Sequence, residues 1–127
     1  MNHDVLSDAL SIIKNAEKRG KNICKVKYSN LVFNILKIFQ KKGYLKKVER
    51  MNDKFGTISV QLKGRINECR SIRPRLAVKV DEIPKFIKRF LPGADIGFII
   101  ISTSKGVMTH EEALKENIGG RLVAYVY

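Results

Sequence analysis

Cysteine, histidine and acidic residues are all scarce in this chain, and each shortage removes a class of function. Cys24 and Cys69 are the only cysteines. They stand far apart with no second pair, so neither metal-ligand spacing nor a disulfide framework is present. Thiols in that pattern read as small buried hydrophobes. His3 and His110 are the only histidines, and no nucleophile arrangement accompanies either. His3 is expected in a frayed terminus, His110 in the exposed first turn of a helix. No run of about 18 apolar residues is available to span a membrane, and Met1-Asn2-His3-Asp4 lacks the basic-then-apolar order of a secretion signal. A cytoplasmic protein without membrane association, cofactor or metal is expected. Acid is short too: 12 Asp+Glu stand against 25 Lys+Arg, a net charge of +13. A field of that sign attracts polyanions, whether nucleic acid, an anionic membrane surface or acidic proteins.

What is present suits a folded domain. The 127 residues are 44% hydrophobic and 29% charged, which excludes disorder and is long enough for a core without staples. Asp4 or Ser7 can cap a first helix with Val5, Leu6, Ala9, Ile12, Ile13 and Ala16 on one face. A short strand over 22–27 follows. Ser29 opens a second helix with a stripe of Leu31, Val32, Ile35, Leu36, Ile38 and Phe39, ended by Gly43. Residues 44–51 and 57–62 read as a hairpin around the loop 52–56. In its second strand Ile58, Val60 and Leu62 point one way and Thr57, Ser59 and Gln61 the other. The polar stretch 63–70 suggests a divide near Gly64: a 1–64 unit of order α-β-α-β-β, and a β-rich 65–127 unit with short helices. The first part holds 14 Lys+Arg against 5 Asp+Glu, net +9; the second holds 11 against 7, net +4.

In the second part, 72–80 reads as extended, because Pro74 disfavours helix at Arg73 and Leu76, Val78 and Val80 alternate with Ala77 and Lys79. Asp81 can cap a short helix holding Ile83, Phe86, Ile87 and Phe90, stopped by Pro92-Gly93. Gly97-Phe98-Ile99-Ile100-Ile101 is a strand covered on both faces. Thr109 and Glu112 fit a capping box that starts another helix, with Met108 and Ala113 as a staple. Gly119-Gly120 ends that helix, and 122–126 alternates as a final strand. The fold class is α+β: two small α/β subdomains packed together, with mixed or antiparallel sheets and short helices.

Between strand and capped helix lies a hydroxyl-rich loop, Ser102-Thr103-Ser104-Lys105-Gly106. Ser102 and Lys105 satisfy the Ser-x-x-Lys spacing of some acyl-transfer enzymes, which makes a small Ser-Lys hydrolase the alternative reading. The Ser-Asp-Asn and Lys-Thr-Gly partners are missing, and so is a Gly-x-x-x-x-Gly-Lys-Ser/Thr phosphate loop. RNA makes better sense of the loop. A hydroxyl both donates and accepts towards a ribose 2′-OH or a minor-groove base edge, Gly106 lets backbone N–H groups come close, and Lys105 neutralises phosphate. Thr109 is assigned to the cap. Arg70, Arg73 and Arg75 could line phosphates with their guanidinium forks. Tyr125 and Tyr127 could stack on bases, but at least one belongs to the core.

The run Ser102-Thr103-Ser104-Lys105-Gly106-Val107-Met108-Thr109, followed by Gly119-Gly120, resembles the signature of small-subunit ribosomal protein eight, a universal family. The likeness runs the length of the chain: residues 8–16 resemble the family's opening helix and Gly43-Tyr44-Leu45 the start of its first hairpin. The resemblance implies a non-catalytic protein that binds a helical element in the central domain of small-subunit ribosomal RNA and supports assembly. It would be monomeric when free, beside neighbouring ribosomal proteins once assembled. It further implies contacts from Ser102, Thr103, Ser104 and Gly106, with Gly119 and Gly120 nearby and Lys14, Asn15 and Ser29 peripheral. One departure concerns Arg121, which stands where bacterial members usually carry a carboxylate, as in archaeal and eukaryotic relatives.

Overall fold

Asp4 opens the first helix by accepting from the Leu6 N–H at 3.1 Å, and Ser29 opens the second by accepting from the Val32 N–H at 3.1 Å. Each side chain thereby satisfies one of the donors that a helix start leaves without a partner. The computed structural model describes residues 4–52, 54, 56–93 and 95–127; His3, Asp53 and Phe55, on which sequence expectations fell, lie outside them. Two units divide the chain, Met1–Cys69 and Arg70–Tyr127.

The first unit runs α1 (Val5–Lys18), β1 (Ile23–Lys27), α2 (Asn30–Lys41), β2 (Leu45–Met51) and β3 (Thr57–Leu62). Its sheet has the order β1-β3-β2, antiparallel throughout. Ile58, Val60 and Leu62 are buried, with Leu6, Leu10 and Ile13 of α1 and Ile35, Leu36 and Phe39 of α2. Ile12, expected in the buried stripe, is 42% exposed; it sits about 100° round the helix from Ile13, at the stripe's edge. The divide falls beyond Gly64 because the following residues are tied into this unit. Glu17 accepts from the N–H groups of Gly64 and Ile66 at 3.2 and 3.1 Å, Ile66 is buried, and the Cys69 thiol donates to the Leu10 carbonyl at 3.5 Å.

After β4 (Cys69–Ser71), which starts at the last residue of the first unit, the second unit contains β5 (Ala77–Val78), α3 (Ile83–Phe90), β6 (Phe98–Thr103), β7 (Gly106–Thr109), α4 (His110–Lys115) and β8 (Gly120–Val126). The sheet order is β4-β8-β6-β7, and β5 also pairs with β8. Ile99, Ile100 and Ile101 are all fully buried, as a strand covered on both faces requires. Ile83, Phe86, Ile99, Ile101, Met108, Ala113 and Leu122 share one core.

The extended 72–80 stretch forms only the two-residue β5, whereas the polar segment before it supplies β4. A 3-10 turn over Val80–Glu82 precedes α3, and Glu82, not Asp81, closes it by accepting from the Lys79 N–H at 2.9 Å. The glycine pair does not end α4. Asn117 takes the left-handed conformation there (φ 55°), and Gly120 is already the first residue of β8. His110 is buried, not exposed: its Nδ1 accepts from the Ile99 N–H at 3.1 Å. No helix among the described residues is long and apolar enough to cross a membrane.

Candidate nucleic-acid interface

The hydroxyl-rich stretch is the closed end of a β-hairpin. Ile100 pairs with Thr109, Ile101 with Met108, Ser102 with Val107 and Thr103 with Gly106, which leaves Ser104 and Lys105 as a two-residue turn. Neither turn residue takes positive φ; that conformation falls on Gly106, the first residue of β7, at +112°, where glycine adopts it without strain. Thr103 locks the tip: its hydroxyl donates to the Gly106 carbonyl at 2.8 Å and accepts from the Lys105 N–H at 3.1 Å. Thr109 fixes the base by accepting from the Glu112 N–H at 3.3 Å, with its hydroxyl 3.4 Å from a Glu112 carboxylate oxygen. The tip itself, Ser104, Lys105 and Gly106, is exposed, and Ser102 is half-buried behind it.

Lys105 reaches towards Glu116, Nζ to Oε1 3.7 Å, with both side chains largely exposed. A pair that loose and wet is worth little and yields readily to a phosphate. It also turns the ammonium towards α4, not towards the Ser102 hydroxyl that a Ser-Lys nucleophile would require. Among the described residues no group of three or more His, Cys, Asp and Glu side chains could hold a metal ion.

The neighbouring strand adds what the sequence did not reveal. Ser102 pairs with Arg121 of β8, and Arg121 with Ala77 of β5. Directly opposed residues project to the same face, so Arg121 stands beside Ser102. Its guanidinium donates to the Arg75 carbonyl at 3.2 Å. Arg73 and Arg75 are exposed on the approach to β5. Sequence spacing gives no hint that residues 75, 102 and 121 meet, because register is set by long-range pairing.

Gly119 and Gly120 keep β8 close to both neighbours. A Cβ on Gly119 would lie 2.5 Å from the Val78 carbonyl oxygen, and one on Gly120 would lie 2.2 Å from the Ser102 carbonyl oxygen. That crowding explains both glycines by packing.

The first unit holds the remaining candidates. Lys14 forms an ion pair with Glu68 at 2.6 Å, with about a fifth of each side chain exposed, so it contributes to holding the segment after β3. Asn15 is exposed. The Ser29 hydroxyl is occupied as the α2 cap.

The model of the family described as Ribosomal protein S8 matches residues 4–127. The small ribosomal subunit protein uS8 of the archaeon Archaeoglobus fulgidus is 45% identical over 129 residues, an alignment that spans the whole of both chains. An archaeal relative agrees with the lineage that Arg121 suggests.

Proposed function

This chain belongs to the ribosomal protein S8 family, a structural component of the small subunit of the cytoplasmic ribosome and not an enzyme, and we propose that it binds the central domain of small-subunit ribosomal RNA directly. The observation that carries the reading is the rigid, exposed tip of the β6–β7 hairpin, in which Thr103 closes the turn and leaves Ser104, Lys105 and Gly106 facing outwards. A-form RNA offers a wide, shallow minor groove lined with 2′-hydroxyls, and a short turn bearing hydroxyls and a close-approaching backbone fits it. Ser102 and Ser104 pair with ribose and base edges. Lys105, Arg73 and Arg75 meet phosphates, which position the protein without reading sequence. Thr103, Gly119 and Gly120 hold the geometry, and Lys14, Asn15 and Ser29 form the periphery. The free protein is a monomer, drawn in by its net charge of +13, and it supports assembly beside neighbouring small-subunit proteins.

The test is Ser104→Ala measured against a fragment of the cognate RNA. Loss of one hydroxyl contact weakens affinity by about two- to tenfold. Thermal unfolding scarcely moves, because Ser104 is exposed at the tip of the turn. Equal losses of stability and affinity assign Ser104 to the fold instead.

A further inference from the structure

On the first unit, a file of side chains sets two rings between two cations. The Arg50 guanidinium carbon stands 3.9 Å from the Tyr28 ring centroid. Tyr28 lies 5.9 Å from Phe33, tilted by 45°, and the Lys37 ammonium is 5.4 Å from the Phe33 centroid. None of the four belongs to the hairpin tip, its flanking arginines or the peripheral set of Lys14, Asn15 and Ser29.

Local structure explains how they meet. Phe33 and Lys37 are four residues apart on α2 and so are neighbours on the helix surface. Tyr28 lies between β1 and α2, its N–H donating to the Gly56 carbonyl at 2.8 Å and its hydroxyl to Asn30 Oδ1 at 2.7 Å. Arg50 follows Val48 at the two-residue period of β2 and shares its face. Val48 is buried, whereas Arg50, paired with Ile58, is exposed where the core ends. Arg50 thus folds over the ring at the entrance to α2.

We propose that Arg50 and Tyr28 form a second nucleic-acid site, a stacking platform for an unpaired base of single-stranded RNA. A guanidinium is planar and keeps its charge at every pH of interest. Its central carbon lies over the Tyr28 ring, and Arg50 is exposed as a residue, within reach of a ligand from solvent. RNA-binding proteins stack splayed-out bases on such planes as they do on aromatic rings. No carboxylate competes for Arg50 among the described residues, since the adjacent Glu49 is paired with Lys47 at 2.6 Å. The two hydrogen bonds on Tyr28 hold the platform's base still, so less freedom is lost when a ligand lands. Lys37 supplies charge for the accompanying phosphate. Every base has a π-face, so the platform is indifferent to sequence, in contrast to a hairpin tip fitted to a groove. It lies wholly within the first unit and stands whether or not the hairpin binds RNA.

The test uses an adenosine octanucleotide with a central 2-aminopurine, whose fluorescence falls on stacking, added at low salt to the full-length protein. The wild type quenches it. Arg50→Ala abolishes the quench and lowers affinity about tenfold or more. Arg50→Lys keeps part of the salt-dependent affinity but not the quench, because an ammonium has charge and no plane. Ser104→Ala behaves as wild type, and circular dichroism shows each variant folded. Wild-type quenching by Arg50→Lys or Arg50→Ala overturns the platform, as does loss of quenching in Ser104→Ala, which would place the oligonucleotide on the hairpin. Failure of the hairpin reading shows separately, as rRNA-fragment binding insensitive to Ser104→Ala while the quench persists.

Discussion

Replacing Gly120 with alanine tests whether the glycine pair is there for packing. The added Cβ would lie 2.2 Å from the Ser102 carbonyl oxygen, 2.9 Å from its carbon and 3.0 Å from Ile101 Cγ2. Two of those three atoms belong to the backbone of β6, so no rotamer change relieves the overlap. The flanking Leu122 and Ile101 are fully buried, and β8 cannot slide without repacking them. Forced overpacking of this kind costs about 1–3 kcal/mol. Alanine returns about 0.4–1 kcal/mol by narrowing the unfolded ensemble, and backbone strain adds nothing, since Gly120 does not have positive φ. The net loss is about 1–2 kcal/mol, a fall in Tm of roughly 3–8 °C for a chain of this length. Calorimetry reads the fall, and binding to the rRNA fragment weakens with it because the Ser102 carbonyl must move. Gly106→Ala is the control: nothing lies within 4 Å of its Cβ, so it carries only the strain of a φ of +112°. A Gly120→Ala protein melting within a degree of wild type would refute the packing account and return the glycine to the RNA.

Thr109→Val keeps the buried shape but removes the oxygen that accepts from the Glu112 N–H; it should destabilise by about 1 kcal/mol in thermal melts. His110→Leu strands the Ile99 N–H inside the core, at a cost of about 1–3 kcal/mol in denaturant titration. Arg121→Ala should reduce the slope of log affinity against log salt by about one if the guanidinium meets a phosphate; an unchanged slope removes it from the interface. Burial pushes the Cys69 thiol up to about 12 and that of Cys24 up to about 11, so iodoacetamide at pH 8 should label neither while the protein is folded and both in denaturant. A raised thiol value favours the protonated folded state, so this contribution is intact below the unfolded value near 8.5 and lost as pH climbs towards 12.

Elements with local causes were legible in the sequence. The helices α1 and α2 follow from apolar periodicity and from caps that act within three residues, at Asp4 and Ser29, and β3 from strict alternation. What failed depended on distant partners. Nothing in the polar segment around Cys69–Ser71 signals a strand; β8 makes it one, as the Ile72 N–H bonding to the Val123 carbonyl at 2.8 Å just beyond it shows. His110 looked like an ordinary first-turn residue. The pairing of β6 with β7 ends at Ile100 and Thr109, and as the chain turns into α4 the imidazole takes over the Ile99 N–H that a further strand residue would have met.

The candidate site divides along the same line. A count of hydroxyls finds the hairpin, because two-residue turns and RNA grooves favour the same small polar residues. It cannot distinguish a hydroxyl that faces a ligand from one that closes a turn. Thr103 and Ser29 both carry the right chemistry, yet each is committed to neighbouring backbone atoms. Ser104 has no such commitment, and its exposure at a locked tip makes it the more informative residue to change. Arg121 is the converse. The sequence singles it out only as the cation that follows the glycine pair, and it is the register opposite Ser102 that brings it to the hydroxyls. Sequence alone therefore finds the residues that carry the chemistry, while the hydrogen bonds and strand register show which of them are already committed to the fold.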